Sequence, residues 1–90
     1  MITFRLPSQL QPLAERQRSV QVDASTLAQA FERLDAIAPM LRSQVFEANG
    51  SIRRFVGIFL NGRQIGSLQA EPQALPEGSQ ITIVMAVAGG

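Results

Sequence analysis

The sequence predicts an α+β fold: a mixed sheet of four to five strands with one main helix packed on one face. Three observations carry this expectation. Hydrophobic residues alternate with period two in four separate stretches, 2–6, 18–22, 54–60 and 80–86, as strands with one buried face require. A single stretch, Leu27 to Ala38, instead repeats its apolar residues at helical spacing. Asn61-Gly62 sits between two β-type runs, and both residue types accept the positive φ that a tight hairpin needs.

The elements follow in chain order. Ile2, Phe4 and Leu6 share one side of the first strand, and Thr3 and Arg5 the other. Pro7-Ser8 breaks it, and residues 9–17 read as a loop with a turn around Gln11-Pro12-Leu13. The stretch 18–22 turns Val20 and Val22 inward, so the first two strands form a hairpin across that loop. Thr26 is the expected N-cap of the helix, with Gln29 completing a capping box. Leu27, Ala30, Phe31, Leu34, Ile37 and Ala38 make its apolar stripe, Asp23 lies near its positive end, and Pro39 stops it. Residues 40–46 are expected to add one irregular turn, and 47–51 a flexible connection.

In 54–60, Val56, Ile58 and Leu60 point inward and Phe55, Gly57 and Phe59 outward. Phe55 is also placed under the 40–50 segment as an alternative. Residues 63–65 return as a short strand. Residues 66–78 are mostly loop, with Leu68 and Leu75 plugging the core. The last strand turns Ile81 and Ile83 inward, Thr82 and Val84 outward. The organisation is one domain over residues 1–84 and a flexible tail over 85–90.

Composition narrows the function. Ninety residues bury only roughly 60–65% of the unfolded surface, which leaves no room for a deep pocket. The 46% hydrophobic content supports a core rather than disorder. Histidine, lysine, cysteine and tyrosine are all absent, which removes the commonest general base, the amine nucleophile and thiol chemistry. The seven carboxylates are scattered without metal-ligand spacing, so no metal site is expected and an independent enzyme is disfavoured. All eight basic residues are arginine, against a net charge of +1. This balance, with few aromatic residues among the basic ones, speaks against a nucleic-acid partner. No apolar run approaches about 18 residues, and no signal-peptide pattern opens the chain, so no membrane partner and a cytoplasmic location are expected.

The final stretch is Met85-Ala86-Val87-Ala88-Gly89-Gly90. Two glycines at these positions arise by chance in about 0.5% of chains. They add no packing, but bare backbone ending in a carboxylate can enter a tunnel too narrow for side chains. The domain then serves as a handle that presents the Gly90 carboxylate to an enzyme. The helix covers one side of the sheet, so the other is free for docking, with Arg5, Phe59 and Val84 outward. Arg53-Arg54 reads as a solvated strand end, Glu32 and Asp35 as an exposed helix face, and Met40 and Met85 as packing residues.

The strand order with a double-glycine end resembles the β-grasp, or ubiquitin-like, fold. Four motifs carry a closer resemblance: Thr26-Leu27, Phe59-Leu60-Asn61-Gly62, Leu75-Pro76-Glu77-Gly78, and Ile81-Thr82-Ile83-Val84 leading into Val87-Ala88-Gly89-Gly90. Together they resemble the MoaD/ThiS family of sulfur carriers, with stretch 53–60 nearest in look to the CysO type. Where MoaD-type chains usually carry Pro-Pro, this one has Met85-Ala86, implying a less stiff tail. Ser79 stands where an acidic residue is common.

The resemblance implies that Gly90 is the site of adenylation and thiocarboxylation, with Gly89 beside it, and that Val87 and Ala88 join Phe59, Val84 and Arg5 in partner contacts. A carboxylate with a pKa near 3.5 is ionised and unreactive at neutral pH, so it needs activation. The implied partners are an adenylating enzyme of the ubiquitin-activating type, a sulfur donor and a sulfur-accepting synthase. No cofactor is bound by the chain; ATP and Mg²⁺ are used by the activating partner. Two other outcomes share the first step or the tail: a ubiquitin-like modifier conjugated through Gly90, and the small subunit of a molybdopterin-synthase-like complex. A binding module in which the tail is dispensable is a third.

Overall fold

A computed structural model describes residues 1–68 and 74–86. Five strands form one sheet: β1 (Ile2–Arg5), β2 (Ser19–Val22), β3 (Val56–Leu60), β4 (Arg63–Ile65) and β5 (Gln80–Met85). Their order is β2-β1-β5-β3-β4. β1 runs parallel to β5, and every other neighbour is antiparallel. The first and last strands thus meet at the centre, and the chain leaves the sheet from its middle.

The main helix, α1 (Leu27–Ile37), starts as its cap chemistry dictates. The Thr26 hydroxyl accepts the Gln29 N–H at 3.1 Å, and the Gln29 side chain returns to accept the Ser25 N–H at 2.9 Å. Leu27, Ala30, Phe31 and Leu34 are buried on the sheet. Ile37, expected in the stripe, is 52% exposed. At about 100° per residue it stands roughly 80° to one side of Leu27, at the margin of the stripe, while Ala38 takes the central direction. Phe31 packs edge-on between Phe4 and Phe46, at 5.0 and 5.3 Å between centroids.

Three segments are more ordered than the sequence implied. The turn expected around Gln11-Pro12-Leu13 is a 3-10 turn over Gln11–Ala14, and it buries Leu10 and Ala14 inside the stretch otherwise read as loop. Residues 41–45 form a regular short helix, α2 (Leu41–Val45), because Leu41 and Val45 share a face and reach the core. Met40, just before it, is left 63% exposed rather than packed. The 47–51 connection is a hydrogen-bonded turn: Glu47 N–H donates to Ser51 O at 2.7 Å, Gly50 N–H to Glu47 O at 2.9 Å, and Phe46 bridges Ile52.

Arg54 is exposed, as a solvated strand end would be, whereas Arg53 is engaged by its neighbours. Arg53 donates to the Ser43 carbonyl at 2.8 Å and pairs with Glu47 at 3.1 Å. The turn from Arg53 to Val56 holds residues 54 and 55 off the ladder, so β3 starts at Val56. Asp35 likewise pairs with Arg42, whose guanidinium lies 5.4 Å from the Phe46 ring centroid.

The hairpin turn is as predicted. Asn61 and Gly62 have φ of 50° and 88°. The Asn61 side chain also accepts the Gln80 N–H at 2.8 Å and donates to the buried Ser79 hydroxyl at 3.2 Å. Ser79 is thus a neutral link between this turn and β5. Leu68 and Leu75 are partly buried against the core, as expected. Among the described residues no helix is long and apolar enough to cross a membrane.

Candidate functional site

The helix-free face of the sheet is built by strand parity. Ile2, Phe4, Val56, Ile58, Leu60, Ile81 and Ile83 are buried, so their neighbours in sequence point the other way. The register then sets a row across all five strands: Ser19, Arg5, Thr82, Phe59 and Gln64 are successive partners. Gly57 and Val84 pair in the next row. The structure therefore brings Arg5, Phe59 and Val84 onto one surface, as the sequence predicted.

Phe59 is half-buried rather than protruding. A Cβ at Gly57 would lie 3.2 Å from Phe59 Cε1 and 3.0 Å from Val84 Cγ2. The absent side chain makes room for the ring, which lies over Gly57 towards Val84. Val84 is 42% exposed and Arg5 is exposed. No carboxylate stands in these rows, and Arg5 forms no ion pair among the described residues. The surface is polar along most of this row, with Phe59 and Val84 forming a small apolar patch around Gly57 on β3 and β5 and the Arg5 cation one strand away on β1.

The outward reading of Phe55 holds over its alternative. Phe55 is 49% exposed and does not sit under the 40–50 segment. Its carbonyl accepts the Ala86 N–H at 2.8 Å, and the Arg54 guanidinium lies 5.9 Å from its ring centroid. Phe55 thus stands where the chain leaves the sheet. The same bond ties down Ala86, which a proline there could not achieve, so the backbone is held at this point despite the missing Pro-Pro. Met85, within the segment read as tail, belongs to β5 and packs partly against the core. Val87, Ala88, Gly89 and Gly90 lie outside the described residues.

A five-stranded mixed sheet with its main helix on one face and its last strand at the centre defines a β-grasp, ubiquitin-like protein. The chain belongs to the ThiS family, whose model matches residues 4–90. It is 29% identical to the sulfur carrier protein CysO of Mycobacterium tuberculosis over 99% of this chain and 98% of that one. The crystal structure of that CysO superposes with a TM-score of 0.83 at 27% identity, covering 97% of this chain and all of the other. SAMP1 from Haloferax volcanii gives a TM-score of 0.79 at 25% identity over 99% and 98% of the two chains.

Proposed function

We propose that this protein is a sulfur carrier whose Gly90 carboxylate is adenylated and then converted to a thiocarboxylate. The observation that carries the proposal is the family match running through Gly90, together with full-length similarity to sulfur carrier proteins. An activating enzyme uses MgATP to form Gly90-CO-AMP and pyrophosphate. A sulfur donor then displaces AMP and leaves a thiocarboxylate, which a synthase draws on as a nucleophile. The chain is consumed and recharged, and so acts as a cosubstrate rather than as a catalyst.

Each part of the molecule has a task in this reading. The patch of Phe59 and Val84, with Arg5 one strand away, docks the handle, while Val87 and Ala88 lead the two glycines to the adenylation centre. A side chain at position 90 would crowd the acyl phosphate, and one at position 89 would limit φ/ψ and meet the tunnel wall. The recipient pathway is one that makes cysteine, molybdopterin or another sulfur-containing metabolite, and the setting is the cytoplasm.

The test is ATP-dependent activation by the host's adenylating enzyme, followed by pyrophosphate exchange. The wild-type chain is expected to be activated, and Gly90→Ala much less so. Deletion of Gly90 should abolish exchange while leaving the melting transition unchanged. Equal exchange by the deletion variant would overturn the proposal. The similarity to SAMP1, a small archaeal modifier protein, favours one second reading, conjugation to other proteins through Gly90. High-mass conjugates without sulfur on the free chain would select it.

A further inference from the structure

The sheet opens between the end of β1 and the last residues of β5. The parallel ladder joins Thr3–Arg5 to Gln80–Thr82 and stops there, although β5 continues to Met85. Thr3 N–H donates to Ser79 O at 3.0 Å, so odd-numbered residues of this stretch turn their backbone groups towards β1. Even-numbered ones face β3: Ala86 N–H donates to Phe55 O at 2.8 Å, and Gln80 O accepts from Asn61 N–H at 2.9 Å. In this phase the next donor for the Ile83 carbonyl would be residue 7. Residue 7 is proline and has no N–H.

The Pro7 carbonyl is also turned away, accepting from Leu10 N–H at 3.0 Å and Gln11 N–H at 3.3 Å. The Ile83 C=O and Met85 N–H therefore face an open groove of about 370 Å³ between segments 5–9 and 82–85. Among the described residues, β5 is a central strand over its first half and an edge strand over its second. An unpaired edge accepts an extended peptide through main-chain hydrogen bonds. Arg5 lines the groove without an ion-pair partner among the described residues, which favours a strand carrying a carboxylate.

We propose that the β5 edge at Ile83–Met85 pairs with an extended segment of the activating enzyme bearing a carboxylate opposite Arg5. The inference rests on the sulfur-carrier reading and adds how that partner grips the chain. With β3 on one side and the partner strand on the other, the direction in which the chain leaves Ala86 is set before Gly90 reaches the adenylation centre.

The test is amide hydrogen exchange on the full chain, alone and with the host's adenylating enzyme, with pyrophosphate exchange followed in the same sample. The Met85 amide is expected to exchange fast in the free protein and about tenfold slower or more in the complex, with Ala86 slow in both. Met85→Pro removes the groove-facing donor and keeps the Ala86 bond. It should lower kcat/KM for activation by about tenfold or more relative to Met85→Ala, which loses the same core packing but keeps the N–H, and equal values for the two variants would also overturn the strand inference. A Met85 amide that stays fast in a complex active in pyrophosphate exchange overturns the strand inference and leaves the carrier reading standing. Protection already present in the free protein also overturns it, since the chain itself or a second copy then fills the edge. Absence of pyrophosphate exchange removes the carrier reading and the inference with it.

Discussion

Gly57 lies beneath the ring of Phe59, at a spacing that leaves only 3.2 Å between Phe59 Cε1 and a Cβ built on the glycine. The backbone at Gly57 needs no positive φ, so the position is glycine for space and not for conformation. Gly57→Ala should therefore change stability by no more than about 1 kcal/mol, because the gain in strand propensity offsets the crowding. It should still lift the ring and weaken activation several-fold. Thermal melting and activation kinetics on the same sample check this. Unchanged activation with a displaced ring would remove Phe59 from the docking surface.

Arg5 presents the charge on this surface. Arg5→Glu should raise the KM for the chain in activation without altering its melting, and the wild-type KM should rise with ionic strength, because exposed charge acts through steered association. A salt-independent KM would mean that docking is wholly apolar.

The α1 cap is a local test of the fold. Thr26→Ala loses the acceptor for the Gln29 N–H and should cost about 1 kcal/mol. For a domain of this size that corresponds to a fall of roughly 4–8 °C in Tm. Chemical denaturation checks the free energy independently.

Phe31 is the centre of the core, in edge contact with both Phe4 and Phe46. Phe31→Ala should cost about 3–5 kcal/mol, a large share of the stability of a small domain. Urea unfolding should show a much lower midpoint, and unaltered stability would contradict the packing described here.

Much of this was legible from residue order alone. Parity placed Arg5, Phe59 and Val84 on one face because a strand has only two sides. The Asn61-Gly62 turn and the Thr26 cap followed from backbone chemistry that each residue carries with it. What escaped depends on contacts distant in sequence. Leu10 and Ala14 are core residues whose four-residue spacing fits a helical turn, but two apolar positions around Pro12 are too short a pattern to separate a buried 3-10 turn from a surface loop. Arg53 is engaged by Ser43 and Glu47, which only the α2 corner brings near it. The open edge of β5 arises from Pro7, more than seventy residues away, and shows only once β1 and β5 are known to be parallel neighbours.

The central claim is that Gly90 carries sulfur. The most direct measurement is intact mass of the chain isolated gently from its host, with and without a thiol-alkylating reagent, and the change mapped to the C-terminal peptide. The chain contains no cysteine, so an alkylated sulfur nucleophile on that peptide reports the thiocarboxylate and separates it from oxidation of Met85. The account predicts replacement of one oxygen by sulfur at Gly90 and one added alkyl group. A chain that stays unmodified and unalkylated after incubation with the adenylating enzyme, ATP and a sulfur donor would contradict it.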